Sequence, residues 1–347
     1  MKIAFTCLIC FFAFSSFAQE LTTPSERKKT IVLLYDAYAQ DQLTIHNKFG
    51  QVNVELWRRP EIQVTVRIRA HAADSQTADQ YLNAVAIKEQ REGSQIVINT
   101  TIEPHERLIS SLISASKDSV LCSYLQVDYT ILMPAENSLT LTNQFGNASI
   151  PRFKAPLAVF VQNGNFAANS LAHSETKVKV EYGSVDIKTM TDGEVDVAYG
   201  NLAVKSAKRV TLNNKMGKLR LGKANELTTK ASYSEMDIGQ IQQSALMSIS
   251  FSNRFHLDQL PESLTNLDMA LSYSSVVLPV NRKSNFNINA SMTNSGFSYP
   301  ANSLLVLQHQ PTVSNEANTI KRYSGIVGKG TGSKVQLVGS YSTIRFE

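Results

Sequence analysis

The segment that decides the fold reads VKVEYGSVDI at residues 178–187, and its pattern returns as VDVAYGNLAV at 195–204, LNNKMGKLRL at 212–221 and TKASYSEMDI at 229–238. Each copy centres on an anchor, which is an aromatic residue or methionine followed by glycine or serine. These four anchors, Tyr182, Tyr199, Met216 and Tyr233, are 17 residues apart. A regular period of this length predicts a β-solenoid, in which each coil buries its inward side chains against the next coil.

The same frame extends to both sides of this segment. Further anchors are Phe49, Phe145, Phe251, Tyr273 and Tyr341. The residue four positions before an anchor is apolar except at Thr229, and apolar residues follow three and five positions after it. Because a spacing of two puts side chains on one face of a strand, each unit predicts a strand, a tight turn and a second strand. Only the Phe251 unit is out of step, by one residue at Arg254, which predicts a β-bulge.

The turn residues suggest how each coil changes direction. Glycine after the anchor is predicted to take the left-handed backbone conformation, which it adopts at little cost. The pair Asn163-Gly164 predicts a degenerate turn of the same kind. Asn47, Asn143 and Asn214 each lie two residues before an anchor. They are either a hydrogen-bonded ladder along the stack or isolated turn residues.

The chain before the regular repeats has a different pattern. Alternation over residues 43–54 and 62–68 predicts strands, with Pro60 at the corner between them. Helical spacing predicts a helix over residues 74–84, capped by Asp74 or Ser75, which would cover one end of the stack. The serine-rich residues 105–119 predict a long loop.

The N-terminus predicts export. Residues 1–18 combine a short basic start, an apolar run and small residues before Gln19, as a secretory signal peptide does. A lipid-modified Cys10 is disfavoured, because Leu8 and Ile9 replace the small residues expected before it. After cleavage Cys122 is the single thiol, so no intramolecular disulfide can form, and its apolar neighbours favour a buried side chain. The predicted organisation is a signal peptide at 1–18, a lead segment at 19–42, a strand module at 43–104, a loop at 105–119 and solenoid repeats at 120–347.

Two other all-β architectures share part of this pattern. An antiparallel β-sandwich also has short strands, although it usually shows Asn-Gly hairpin turns more often than the one at Asn163-Gly164. A membrane barrel needs strands of roughly nine to eleven residues, whereas these are about six. The sandwich therefore remains the alternative to the solenoid.

The repeats resemble a known family. The block from Leu43 to Trp57, the strand ending Val66-Arg67-Ile68-Arg69-Ala70, the segment Tyr129 to Pro134 and the repeats from Leu139 onward are similar to the bacterial "putative adhesin" family of β-strand repeats, a domain of unknown function in Bacteroidetes envelopes. The resemblance implies a right-handed β-helix-like fold and an exported protein. It carries no catalytic residues to transfer.

The sequence contains no catalytic, cofactor-binding or metal-binding motif. The formal net charge is +5 and the basic residues are scattered, so nucleic-acid binding has no support. The histidines lie far apart without metal-ligand spacing. They are His46, His71, His105, His173, His256 and His309. Asp186, Arg220 and Asp237 share one register position and are the residues that an enzyme acting on polysaccharides could use.

Three functions remain open. The preferred one is a non-enzymatic, exported, adhesin-like protein that binds a glycan, cell-wall polymer or envelope protein through its repetitive surface, without a cofactor and without a membrane span after signal cleavage. The second is a carbohydrate-active enzyme that uses Asp186, Arg220 and Asp237. The third is an accessory protein of the envelope-stress response.

Overall fold

The computed structural model describes residues 24–103, 123–299, 305–309 and 319–347. Over these residues the protein is all-β with one helix, and hydrogen bonds join 21 strands into a mixed sheet and three more into a second sheet. The predicted signal peptide, the predicted loop at 105–119 and Cys122 lie outside the described residues.

The N-terminal part is a module of parallel and antiparallel strand pairs with one helix. Its elements are β1 (Ser25–Asp36), β2 (Gln42–Lys48), β3 (Val52–Leu56), β4 (Glu61–Ala72), α1 (Ser75–Ala84), β5 (Val85–Glu92), β6 (Gln95–Ile102) and β7 (Tyr124–Met133). Strand β4 pairs antiparallel with both β1 and β7. The predicted helix is confirmed, and Asp74 is its N-cap because its carboxylate accepts a hydrogen bond from the Thr77 backbone nitrogen at 2.8 Å.

The repeat region is built from parallel pairs. Its strands are β8 (Ser138–Gln144), β9 (Ala148–Phe153), β10 (Leu157–Gln162), β11 (Phe166–Leu171), β12 (Thr176–Glu181), β13 (Val185–Met190), β14 (Glu194–Ala198), β15 (Asn201–Ser250), β16 (Phe255–Gln259), β17 (Asn266–Ser272) and β18 (Ser275–Leu278). The long β15 comprises several strand passes, because it contains two of the tight turns, at Met216 and Tyr233. Each strand lies beside the equivalent strand of the next unit.

Equivalent positions superpose from unit to unit. Val178 pairs with Val195, and Val195 pairs with Leu212, so the residues four positions before the anchors form one buried column. Thr229, the polar exception in this column, is also buried, and its hydroxyl donates to the Leu212 carbonyl at 2.6 Å. The predicted shift in the Phe251 unit is confirmed, because Met236 pairs with Phe255.

The prediction for the turn glycines is wrong. All eleven non-glycine residues with positive φ in the described chain occupy the anchor position, with φ between 48° and 61°. They are Phe49, Phe145, Asn163, Tyr182, Tyr199, Met216, Tyr233, Phe251, Tyr273, Asn294 and Tyr341. The anchor, not the glycine, is therefore left-handed. Glycine follows it for another reason: a Cβ atom at Gly200 would lie closer than 3.0 Å to the Gly183 carbonyl of the adjacent unit.

The asparagine ladder is present at one step only. Asn47 donates from Nδ2 to Oδ1 of Asn143 at 3.0 Å, and both side chains are buried. Asn214 has Val197 at the equivalent position of the preceding unit, and it donates instead to the Gly200 carbonyl at 3.1 Å. Asn47 and Asn143 therefore form one step of a ladder, whereas Asn214 is an isolated turn residue.

In the C-terminal part, the order of the units in space differs from their order along the chain. Its strands are β19 (Phe286–Thr293), β20 (Gly296–Ser298), β21 (Leu305–His309), β22 (Ile320–Val327), β23 (Ser333–Ser340) and β24 (Thr343–Phe346). Strand β23 pairs in parallel with both β17 and β19, and β24 pairs with both β18 and β20. The last unit of the chain is thus inserted between two earlier ones, and the sequence pattern did not predict this insertion or the unit that turns at Asn294.

Candidate binding surface

The anchor side chains form a column on the outside of the protein. The left-handed backbone at each anchor turns its side chain away from the core, and eight of them are 42–54% exposed. These eight are Phe145, Tyr182, Tyr199, Met216, Tyr233, Phe251, Tyr273 and Tyr341. The anchors superpose from unit to unit, as the repeat predicts, but their side chains lie on the surface and not among the inward side chains that the coils bury.

Four of these anchors stack without interruption, and we call them the aromatic ladder: Tyr233, Phe251, Tyr273 and Tyr341. Their ring centroids are 4.7, 5.2 and 5.0 Å apart and the planes are within 3° of parallel. Because the inner rings cover one another's faces, a ligand can reach only their edges and hydroxyl groups. The ladder is consequently an apolar ridge and not a platform on which a sugar ring could stack.

A groove lies beside the anchors on the outer face of the sheet, and we call it the lysine groove. It encloses about 460 Å³ and crosses five successive strand passes. Its prominent polar residues are Lys179, Asp196, Asn213, Lys215, Lys230 and Ser248. The residues just before three anchors, Ala198, Ser232 and Ser250, also line it, and their small side chains leave the floor low.

The charges in the lysine groove are only partly compensated. Lys179 forms an ion pair with Glu181 at 2.8 Å, and Asp196 accepts a hydrogen bond from Asn213 at 2.6 Å. Within the described part of the chain, Lys215 and Lys230 form no ion pair. The lysines outnumber the one carboxylate of the groove, Asp196, so the groove has a net positive charge.

A second recess of about 290 Å³ lies on the same face, where the strands begin. Here Arg209 donates from Nε and Nη2 to Oδ2 of Asp192 at 2.9 and 2.5 Å. The hydrogen bonds from Arg209 lower the pKa of the Asp192 carboxyl group below its usual value. This pair is internally neutral, so the recess does not extend the positive charge of the lysine groove.

Three side chains that can ligate a metal meet on the strand segments that follow the anchors Tyr233 and Phe251. Asp237 pairs with His256 across adjacent strands, and Asp258 lies two residues after His256 on the same face. One ligand atom from each lies within 4.8 Å of the others. Spacing along the chain did not predict this Asp–His–Asp cluster, because Asp237 is far from the other two in sequence; the repeat register would have placed them together.

The residues proposed for an enzyme are only partly brought together. Asp186 pairs with Ala203, and the register of the following units puts Arg220 and then Asp237 in the same outward column. Three strand spacings therefore separate Asp186 from Asp237, about 14 Å. Paired catalytic carboxylates in glycoside hydrolases are about 5–9.5 Å apart, so these two cannot act as such a pair.

The repeat pattern does not predict the groove residues. The repeat is defined by inward positions, whereas Lys179, Lys215 and Lys230 are outward and the residues at their positions differ from unit to unit. One signal for the groove was present in the sequence. Several anchors are directly preceded by alanine or serine, and such small outward side chains indicate a depression in the surface.

No protein-family model and no curated protein sequence matches the chain. Similar solved structures include a "putative adhesin" from Parabacteroides merdae (9% identity, 94% of this chain and 96% of that chain, TM-score 0.36), a "putative adhesin" from Parabacteroides distasonis (10%, 92% and 97%, 0.35) and a "putative lipid binding protein" from Parabacteroides distasonis (8%, 94% and 97%, 0.34). At these TM-scores the fold and function of this chain must be argued from its own residues. Among the described residues, no helix has the length and apolar character needed to cross a membrane.

Proposed function

We propose that this chain is an exported, non-enzymatic, adhesin-like protein that binds an extended envelope or extracellular polymer in the lysine groove. The observation that carries the proposal is the groove itself, which crosses five successive strand passes with a low floor and two uncompensated lysines. Four strand spacings give it a length of about 19 Å, which suits a linear polymer better than a compact small molecule.

The proposed scaffold is a right-handed β-solenoid formed by the repeats. Every strand pair from β8 to β18 is parallel, and neighbours are offset by one unit of the repeat. Parallel strands joined by crossovers are right-handed in nearly all proteins. An antiparallel sandwich, the competing architecture, would pair its neighbours in the opposite direction, so the pairing favours the solenoid.

The proposed location is the cell envelope or its outer surface. Residues 1–18 have the composition of a signal peptide, and the predicted mature chain keeps Cys122 as its single thiol, which suits an oxidising compartment. We retain the proposed order of an N-terminal module followed by repeats, but the module also includes β1 and β7, which both pair with β4, so the proposed bounds of 43–104 and 120–347 shift accordingly.

Polymer binding is favoured over polysaccharide cleavage by the geometry of the charged residues. Asp186 and Asp237 are too far apart for paired catalysis, and only Arg220 and Asp237 are neighbours. The lysine groove contains one carboxylate, Asp196, and that group is hydrogen-bonded to Asn213. This arrangement can hold a polyanion, but among the described residues that line the groove it lacks the second carboxylate that glycoside hydrolases use.

The test is retention of the purified chain on immobilised polygalacturonate, with dextran as the neutral polymer. The double variant Lys215→Gln/Lys230→Gln should bind polygalacturonate about two- to thirtyfold more weakly, because each of the two exposed ion pairs that it removes contributes about 0.2–1 kcal/mol. The matched control is Lys205→Gln/Lys223→Gln, which removes the same charge from exposed lysines outside the groove.

Three results would contradict the proposal. These are no retention of the unchanged chain on polygalacturonate, equal weakening by the two double variants, and release of sugar products during incubation. The last result would instead support the enzyme alternative.

A further inference from the structure

The Asp–His–Asp cluster combines the groups that bind divalent transition metals. It consists of Asp237, His256 and Asp258, and Nε2 of His256 is 2.8 Å from Oδ1 of Asp258. Imidazole nitrogen together with carboxylate oxygen is a donor set that suits zinc and other first-row divalent ions. A purely acidic patch would lack the nitrogen donor that distinguishes these ions from calcium or magnesium.

The repeat register brings the three side chains together. The extra residue at Arg254 shifts the Phe251 unit by one position, so Phe255 turns inward and His256 faces outward. His256 then lies directly beside Asp237 of the preceding unit. Asp258 follows on the same face, because side chains two residues apart in a strand point in the same direction.

The two carboxylates form no ion pair with the basic residues around them. Arg220 lies beside Asp237 in the outward column without pairing to it, and Lys218 and Arg254, the other nearby basic residues, both form ion pairs with Glu235. Within the described residues, neither Asp237 nor Asp258 forms an ion pair with a lysine or arginine. Two negative charges at this separation repel each other by about 1 kcal/mol in water, and a divalent cation between them would remove that repulsion.

The surface beside the cluster leaves room for an ion and its water ligands. Gly239 lies next to Asp258, and the position of a Cβ atom there would be 3.4 Å from Oδ2 of Asp258. Asp237 and His256 also line a surface recess of about 530 Å³. The absence of a side chain at Gly239 keeps one side of the cluster open.

We propose that Asp237, His256 and Asp258 bind a divalent transition-metal ion, with water completing its coordination. Bonds of about 2.0–2.2 Å to one ion require the ligand atoms to lie within about 4.4 Å of one another, so small side-chain rotations close the site. The inference is independent of the proposed polymer binding, since the cluster is on a different sheet face from the lysine groove.

The test is calorimetric titration of the full-length chain, without any histidine tag, with zinc chloride and separately with calcium chloride. We expect one zinc ion per chain and much weaker binding of calcium, because calcium favours oxygen ligands. His256→Ala and Asp258→Asn should each weaken zinc binding by about tenfold or more, since even indirect supporting groups around a metal change affinity by about 10–100-fold.

The controls are His46→Ala and Asp186→Asn, which alter an exposed histidine and an exposed aspartate outside the cluster. Both should leave zinc affinity and stoichiometry unchanged. Failure to bind zinc, zinc binding that survives His256→Ala, or calcium binding as tight as zinc binding would overturn the proposal. All variants are at exposed positions, and their far-ultraviolet circular dichroism should match that of the unchanged chain.

Discussion

The units with glycine after the anchor and the units with serine there make the same turn by different chemistry. Glycine occupies the position from Gly50 to Gly217, and serine occupies it from Ser234 to Ser342. The anchors have the same left-handed backbone in both groups. What differs is how adjacent units approach each other at the following residue.

In the glycine units the turn depends on the absence of a side chain. A Cβ atom at Gly146, Gly183 or Gly200 would lie closer than 3.0 Å to a backbone carbonyl oxygen of the adjacent unit. Buried asparagines supply donors to some of these carbonyls, as Asn143 does to Gly50 at 3.0 Å. Steric fit and side-chain amides therefore define this part of the stack.

In the serine units the side chain is buried and becomes part of the hydrogen bonding. The Ser274 hydroxyl donates to the Ser272 carbonyl at 2.8 Å and accepts from the Ser252 backbone nitrogen at 3.1 Å. The Ser342 hydroxyl repeats this arrangement toward Ser274, and Ser295 repeats it toward Ser342. This serine row follows the spatial order of the units, including the inserted last unit. Adjacent units are therefore joined by hydroxyl hydrogen bonds in the serine half and by close backbone contact in the glycine half.

Exchanging the two chemistries should have the largest effect in the glycine half. We expect Gly200→Ser to lower the free energy of unfolding by about 3 kcal/mol or more, because the new Cβ atom forces two packed units apart. Ser252→Gly, the reverse exchange, should cost less, since it removes hydrogen bonds without creating a clash. Urea unfolding followed by circular dichroism measures both variants.

A Gly200→Ser variant as stable as the unchanged chain would show that contact with the Gly183 carbonyl does not determine the spacing of the units. Partial unfolding confined to neighbouring units is compatible with the prediction, because repeat arrays can lose cooperativity. Limited proteolysis would locate such a local change.

The comparison also indicates how much the sequence could predict. The period and the inward residues could be predicted, because a buried position such as Val178, Val195 or Leu212 requires an apolar side chain in every unit. The left-handed anchor was not, since aromatic residues rarely adopt that conformation and glycine beside it was the more obvious candidate. The position of the last unit between β17 and β19 depends on long-range strand pairing. The local sequence pattern of that unit does not specify which strands it pairs with.

Interrupting the serine row should have an intermediate effect. Ser274→Ala removes the hydroxyl that the Ser252 backbone nitrogen donates to and leaves that buried donor unpaired. A buried polar group without a partner costs about 1–3 kcal/mol, so unfolding should be easier by about that amount. Ser248→Ala, at an exposed position, is the matched control and should be nearly neutral. Equal stability of the two variants would mean that another group, such as water, replaces the hydroxyl.

The smallest effect is expected for the aromatic ladder, where two contributions oppose each other. Phe251 stacks on Tyr233 and Tyr273, whereas Tyr199 stacks on Tyr182 alone and has Met216 on its other side. Replacement by asparagine removes stacking of about 0.5–1.5 kcal/mol per ring pair. It also favours the left-handed backbone, which asparagine tolerates and which Asn163 and Asn294 adopt in this chain.

The difference between Phe251→Asn and Tyr199→Asn therefore compares a second ring partner with a methionine neighbour, because the backbone gain is common to both. We expect Phe251→Asn to be less stable than Tyr199→Asn by up to about 1 kcal/mol in urea unfolding. Equal stabilities would mean that stacking of a second ring contributes no more to the fold than the methionine does. The exposed rings would then have to be explained by what they contact outside the protein.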